Sequence, residues 1–518
     1  MALQMMKDPA QVADWLRAQV SGSLQCDSRQ VRAGDGFVAW PGAATDGRRF
    51  VATALAAGAC AVLVEQAGVE AYGFDDARVL AVPGLKALAG PIASAFHGHP
   101  SGRLGLVAIT GTNGKTSTAW WTAQLLAAAG TPCGVVGTLG IGQPPLAGDT
   151  THALVPTGLT TPDPVLLQSR LREMVDSGVR ACAIEASSIG LVEGRLNAAQ
   201  IRVAVFTNFT QDHLDFHGDM EAYWAAKSAL FDWPGLATAV VNVDDPRGPA
   251  LAARLHARGL DVWAVGMAEA GQPCDARLVA SAVAVTDHGM RLVLVERDAA
   301  GVPGEPLELE LPLVGRYNVS NLLCVLASAR ALGVSLPAAV QACQALTPVP
   351  GRMEQVPAPV AAQPLVLVDY AHTPDALEKA LQALQPLAQQ RGGALWVVVG
   401  CGGDRDASKR PLMAAVAERE AQHPVLTSDN PRSEDPLAIL AQMRAGLRQP
   451  ARARIEPDRA AAIAQAVQLA SPQDVVLIAG KGHEDYQDVQ GVKTVFSDQA
   501  QALAALQQRA ATMPEVPA

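Results

Sequence analysis

Residues 110–118 read TGTNGKTST and follow directly on the apolar run LGLVAI at 104–109. A glycine-rich turn that closes on Gly-Lys-Thr between a strand and a helix suits nucleotide phosphates. Gly111 and Gly114 would let backbone N–H groups turn toward phosphate oxygens, Lys115 would meet the β and γ phosphates, and the Thr116 hydroxyl would reach Mg²⁺. The run STAWWTAQLLAAAG at 117–130 has helix-forming composition and points the positive end of its dipole at the anion. The longer GxxxxGK[ST] pattern needs glycine at 109, where isoleucine stands, so this is the shorter GxxGK[ST] form. A solvated glycine-rich turn is the plainer alternative, and the flanking strand and helix speak against it.

A hard cation beside that loop calls for a second oxygen donor from a neighbouring strand. RACAIE at 180–185 supplies Glu185 at the end of an apolar run. Taken alone, Glu185 could equally cap a helix or sit in an ion pair. His213 and His217, four apart, could share one helical face and suggest zinc, but there is no HExxH and Gly218 breaks the pattern.

These residues need a scaffold. Short β-like runs recur at 59–65, 105–110, 180–185, 203–208, 238–243, 365–370, 395–400 and 474–480, separated by helical stretches rich in Ala, Leu and Gln. Near-continuous apolar strands alternating with helices imply parallel sheets covered on both faces, an α/β class. A chain of 518 residues has room for about three domains at roughly 150 residues each. HGHPSGR (97–103) and LTPVPGRME (346–354) would interrupt helices, which puts the breaks near 102 and 348 and divides the chain into 1–102, 103–347 and 348–518. The terminal MPEVPA reads as a frayed tail.

The composition is 49% hydrophobic and 17% charged, without 18 uninterrupted apolar residues, so no membrane span is expected. The N-terminus lacks the basic, apolar and small-residue sequence of a secretory signal, so the expected location is the cytoplasm. A formal charge of −10 opposes general affinity for nucleic acid. Eight cysteines stand singly at 26, 60, 133, 182, 274, 324, 343 and 401, without CxxC spacing, and most are expected to be small buried hydrophobes.

Taken in order, TGTNGKTS, IEASS, TNFTQDHLDFHG, AAKSALF, GRYNVSN, PGRME and VDYAHTPDAL resemble the Mur ligases of peptidoglycan synthesis. CDSRQVRAGDGFVAWPG near the start, with SDNPRSEDP and GKGHED near the end, narrows the resemblance to the branch that adds the third amino acid. It covers nearly the whole chain. It implies three domains: a central phosphate-loop sheet, an N-terminal α/β domain that binds the UDP end of the substrate, and a Rossmann-like C-terminal α/β domain that binds the amino acid. The implied reaction passes the γ-phosphate of ATP to the D-glutamate side-chain carboxylate of UDP-MurNAc-L-Ala-D-Glu. The amine of meso-diaminopimelate then displaces phosphate. Small-molecule substrates, no nucleic acid and a monomer are implied.

The resemblance also assigns residues. Lys115, Glu185, His213 and Lys227 are the catalytic set, and Thr116, Glu185, His213 and Lys227 would serve Mg²⁺, with Lys227 carried as a carbamate. Carbamate formation requires a neutral amine, scarce for a lysine of pKa about 10.4 unless burial or nearby cations lower it. Without the family, an exposed helical lysine is the plainer account. Around ATP would lie Gly111, Thr112, Asn113, Gly114, Lys115, Thr116, Ser117, Asn318, Asn321, Arg352 and Asp369, which straddle the break at 348, so ATP is expected in an interdomain cleft. Ser28, Thr160, Thr161, Ser187, Glu193 and Arg195 would hold the UDP-linked dipeptide. Ala43, Ala44 and Thr45 replace the His, Gln and Ala of relatives, Ile189 replaces a histidine, and Glu193 occupies a glutamine position. Arg405, Asp429, Asn430, Pro431, Arg432, Gly480 and Glu484 would hold diaminopimelate. Arg432 offers a planar fork for its extra carboxylate, Arg405 suits the other carboxylate and Glu484 an ammonium. For these last residues, turn chemistry at Asp-Asn-Pro-Arg and a surface Lys481–Glu484 pair are the structural alternatives.

Rivals remain. A P-loop GTPase would explain the loop, but VVNVDDP (240–246) has Val243 where the guanine-reading motif needs lysine. A nucleotide-sugar-binding protein without activity would not need Lys115, Glu185, His213 and Lys227. A lysine-adding ligase would lack a use for Arg432, and a folate-polyglutamylating one should lack the uridine-domain signature.

Overall fold

In the computed structural model the described residues are 3–42, 45–149, 154–269, 274–286, 289–298, 300–360 and 362–512. Ala43, Ala44 and the terminal MPEVPA lie outside them. Three sheets follow one another along the chain. The first has five parallel strands within residues 4–82. Its helix Leu85–Phe96 packs on helix Pro164–Asp176 of the next unit, and Val165 joins the core around Leu85 and Ala89.

The second sheet carries ten strands. Its centre is parallel, with Gly105–Thr110 lying between Ala181–Glu185 and Val203–Phe206. Both faces are covered, which explains the unbroken apolar runs: Leu106, Ala108 and Ile184 face one core, Val107, Ile109 and Ala183 the other. At both edges the sheet departs from the all-parallel expectation. Gly140–Gly142 runs antiparallel to Cys133–Gly137 at one. At the other, Leu278–Thr286, Gly289–Glu296 and Leu307–Leu311 form an antiparallel meander. Thr286 and Gly289 are paired across a two-residue connection, too short for a parallel crossover.

The third sheet has six strands, with Leu365–Asp369, Val475–Ala479, Leu395–Val399 and His423–Leu426 adjacent and parallel in that order. A separate hairpin, Tyr486–Val489 with Val492–Val495, stands beside it. Helix starts follow capping rules: Asp163 accepts from the N–H groups of Val165 and Leu166 ahead of Pro164, and Thr373 accepts from Ala376 N ahead of Pro374. All eight cysteines are free and five are buried. Among the described residues no helix is long and apolar enough to cross a membrane.

Candidate active site

The phosphate loop lies at the carboxyl end of the central strand Gly105–Thr110 and opens helix Lys115–Ala128, so the helix N-terminus faces the crevice where open α/β sheets bind ligands. Gly114 adopts φ +82°, and a Cβ there would fall 2.3 Å from Asn321 Oδ1. Both facts demand glycine. Gly114→Ala is expected to cost about 1–3 kcal/mol through backbone strain alone. Thermal unfolding should show a lowered Tm and nucleotide titration a loss of binding.

Glu185 ends the adjacent strand and is buried. Its Oε1 accepts from Thr138 N at 2.7 Å, and its Oε2 from the Thr138 hydroxyl at 3.2 Å and the Thr116 hydroxyl at 3.1 Å. Thr116 Oγ1 also accepts from Arg352 Nη2 at 3.2 Å, across from the C-terminal sheet. Arg352 stacks over Tyr370, 4.2 Å from the ring centre. Asp369, at the carboxyl end of its strand, accepts from Met353 N at 2.7 Å and Ala371 N at 2.8 Å. Burial raises its pKa, against the pull of Arg352.

Lys115 Nζ donates to its own loop, to Gly111 O at 2.9 Å and Thr112 O at 2.7 Å. Lys227 Nζ donates to the same Gly111 carbonyl at 2.7 Å and lies 4.4 Å over the Tyr223 ring. Lys227 is 1% exposed, which disposes of the exposed-lysine alternative. Burial and then the Lys115 charge push its pKa well below the ordinary value, with Asp212 opposing. Burial lowers Lys115 as well, against Glu185 and Asp212. His213 has φ +52° at the start of helix Leu214–His217; its enclosure, with Lys115 and Lys227 nearby, lowers its pKa despite Asp212. His217 Nε2 lies 2.9 Å from Ser188 Oγ, and the His213 and His217 rings both pack against Tyr223, 6.2 and 5.0 Å from its centre.

Asn318 and Asn321 share helix Arg316–Ala331. Asn321 Nδ2 donates to Asn318 Oδ1 at 3.1 Å, and Asn318 Nδ2 to Val314 O at 2.8 Å. A cavity of about 220 Å³ gathers Thr112 to Ser117, Thr160, Glu185, Ser187, His213, Lys227, Asn318, Asn321, Arg352 and Asp369. Thr138, Asp212, His372 and Lys379 line it too and were not singled out in the sequence. Asp375 was also missed: its Oδ2 accepts from Asn113 Nδ2 at 3.1 Å, tying the phosphate loop to the helix Pro374–Gln390 of the C-terminal sheet. Asp212, His372 and Asp375 all lie within the quoted motifs, but nothing local in the sequence marks which of their residues turn inward.

Other expected residues lie apart. Thr161 Oγ1 donates to Glu185 O at 2.7 Å, and Arg195 Nη1 to Thr161 O at 3.0 Å. Glu193 pairs with Lys86 at 2.7 Å, joining the first sheet's unit to the second, and does not line the cavity. Ser28 is half-buried in the turn after strand Leu24–Gln25, also outside it.

The second group stands at the carboxyl ends of three adjacent strands: Arg405 after Leu395–Val399, Asp429 to Arg432 after His423–Leu426, Gly480 and Glu484 after Val475–Ala479. Asn430 Nδ2 donates to Glu484 Oε2 at 2.8 Å. Lys481 Nζ donates to the same oxygen at 2.7 Å and to Asn430 Oδ1 at 3.0 Å. The Lys481–Glu484 pair thus exists, but it is not at the surface: the Lys481 side chain is 0% exposed. Arg432 Nη1 donates to Gly403 O at 2.7 Å, and Arg405 is exposed. Tyr370 links the two groups, with its ring 5.4 Å from that of His483.

A glycine-rich strand–turn–helix loop whose cavity is also lined by a second α/β unit has the arrangement of a nucleotide-binding enzyme. Three family descriptions match in order: the Mur ligase catalytic domain over residues 22–97, the middle domain over 109–329 and the glutamate ligase domain over 351–482. The chain belongs to the Mur ligase family. It is similar to the UDP-N-acetylmuramoyl-L-alanyl-D-glutamate--2,6-diaminopimelate ligase of Acidovorax sp. (strain JS42), with 55% identity over 98% of this chain and 99% of that protein. A solved structure of a ligase of that name is 34% identical with a TM-score of 0.61, covering 94% of this chain and 95% of that one. The MurF ligase of Thermotoga maritima, solved with ADP, shares the fold at 19% identity and a TM-score of 0.65, with 97% and 99% covered.

Proposed function

We propose that the chain is an ATP-dependent ligase that joins meso-2,6-diaminopimelate to UDP-N-acetylmuramoyl-L-alanyl-D-glutamate. We assign the UDP end to residues 1–102, ATP to 103–347 and the amino acid to 348–518, in a cytoplasmic monomer. The observation that carries this reading is the end-to-end likeness to a diaminopimelate ligase at 55% identity. The site chemistry agrees with it.

The D-glutamate side-chain carboxylate attacks the γ-phosphorus and ADP leaves, giving an acyl phosphate. The amine then attacks the acyl carbon, and the tetrahedral adduct loses phosphate and a proton. A free carboxylate could only expel oxide, so phosphorylation supplies the leaving group. Catalysis is mostly positioning and charge neutralisation. Lys115 leaves its two loop carbonyls for the β and γ phosphates. Arg352, Asn318, Asn321 and Asp369 enclose the nucleotide, while Thr160, Thr161, Ser187 and Arg195 orient the dipeptide. Glu193 enters this set only by giving up Lys86.

The oxygen donors suit a hard cation, with the Thr116 hydroxyl and the Glu185 carboxylate meeting at 3.1 Å and His213 lining the same cavity. Mg²⁺ bound there, with Lys227 as its carbamate, would supply the charge that lets two anions approach. The carbamate forms when the neutral Lys227 amine attacks CO₂ and releases one proton, and the lowered pKa of the buried amine favours that step.

Selectivity rests on Arg432, whose fork pairs with the carboxylate that lysine lacks. Arg432→Ala is expected to reduce the preference for diaminopimelate over lysine about tenfold to a hundredfold, the worth of roughly 1.5–3 kcal/mol of charged hydrogen bonds. Competition kinetics with both amino acids would show it. The whole reading is tested by supplying ATP, Mg²⁺ and the UDP-linked dipeptide with either amino acid and weighing the product. ATP consumption with no new amide from either acceptor would overturn it.

A further inference from the structure

The hairpin Tyr486–Val495 makes a dense set of bonds to the segment that carries Arg432. Arg432 N donates to Asp488 O at 2.9 Å, and Gln490 N donates to Arg432 O at 2.6 Å. Asp488 N donates to Asn430 Oδ1 at 3.0 Å, and Gln487 Nε2 donates to Asp429 O at 2.8 Å. Gln490 Nε2 reaches Ser433 O at 3.2 Å. Arg432 and Val489 are paired as an isolated parallel bridge, so the segment around Arg432 lies along the hairpin's inner edge. Asp488 turns both its N–H and its C=O away from its hairpin partner Lys493 and toward this segment.

Neither partner is self-sufficient. Arg432 has φ +51°, a left-handed conformation that a non-glycine residue adopts only when its surroundings impose it. An isolated two-stranded hairpin is itself marginal, and here the outer strand Val492–Val495 is wholly exposed. The Gln490–Gly491 turn, with φ +52° and +77°, has the twist of a tight two-residue hairpin loop and presents Gln490 N to Arg432. At the base, the Tyr486 ring is flanked by Lys481 at 5.3 Å and Lys493 at 4.1 Å, which fastens the hairpin to the buried cation that holds Asn430 and Glu484.

We propose that this hairpin sets amino-acid selectivity: by fixing the backbone at Arg432 and the amide of Asn430 it aims the side chains that receive diaminopimelate. The inference rests on the diaminopimelate reading above. Gln487 and Asp488 are then positioning residues. Two variants test them. Gln487→Met keeps the size and removes the donor to Asp429. Asp488→Pro removes the N–H to Asn430 and none of the hairpin's own bonds from that amide. Steady-state kinetics with diaminopimelate, lysine and ATP should show KM for diaminopimelate rising about tenfold or more and the diaminopimelate-to-lysine ratio of kcat/KM falling about tenfold or more, with KM for ATP within about twofold of wild type. Unchanged KM and ratio in both variants overturn the proposal, as does an equal loss toward all three substrates, which is what general damage gives. A wild-type enzyme that takes both amino acids equally well would instead fell the reading beneath it.

Discussion

Lys227→Met is expected to fold normally and to lose about 10²–10³-fold or more in kcat, the scale of removing one preorganised charge-stabilising group. The fold should survive because the ammonium is a costly guest. It is buried, it has one hydrogen bond, and it shares the Gly111 carbonyl with Lys115. An apolar side chain of similar length relieves that crowding, so thermal stability should hold or rise while turnover collapses. The wild type should show a matching pH dependence. Its lowered pKa means that the neutral amine is populated at lower pH than for an ordinary lysine and is lost as pH falls through that value. Carbamylation, and activity with it, should therefore fall on the acid side and respond there to added bicarbonate. Mass spectrometry under mild conditions and initial rates at controlled CO₂ check both. Full activity in unmodified, bicarbonate-free enzyme would contradict the role.

Lys115→Met is expected to lower kcat/KM for ATP by about 10²–10³-fold with KM for diaminopimelate little changed. Its Nζ is tied to two loop carbonyls, which it exchanges for the phosphates in the proposed reaction. Burial lowers its pKa, but Glu185 and Asp212 favour its charge. A carbamate at Lys227 would replace a repelling cation by an anion and strengthen that charge further. The two lysines should therefore be non-additive, with the double variant losing less than the product of the single losses. Nucleotide titration of each variant and of the pair measures this.

The parallel centre of the fold was legible because burial on both faces leaves its mark in every residue of a strand. Gly105–Thr110 matches its apolar run end to end, and Leu365–Asp369 and Leu395–Val399 each stop one residue short. The phosphate loop was legible because strand, turn and helix are contiguous. The meander 278–311 was not, since its strands are only partly covered and their pairing is decided by connection length and not by composition. Lys481 shows the deeper limit. A lysine is expected at the surface, and what makes its burial tolerable is Asn430, 51 residues away, together with Glu484. The hairpin was missed for the same reason: YQDV and VKTV carry no buried face of their own.

The bond from Asn113 to Asp375 and the bond from Arg352 to Thr116 both run between the central unit and the C-terminal one. Both start from the glycine-rich turn or the helix it opens, so the two units are latched at one small place. Whatever shifts one unit is therefore felt at once by the very turn and helix start that the other must hold in register.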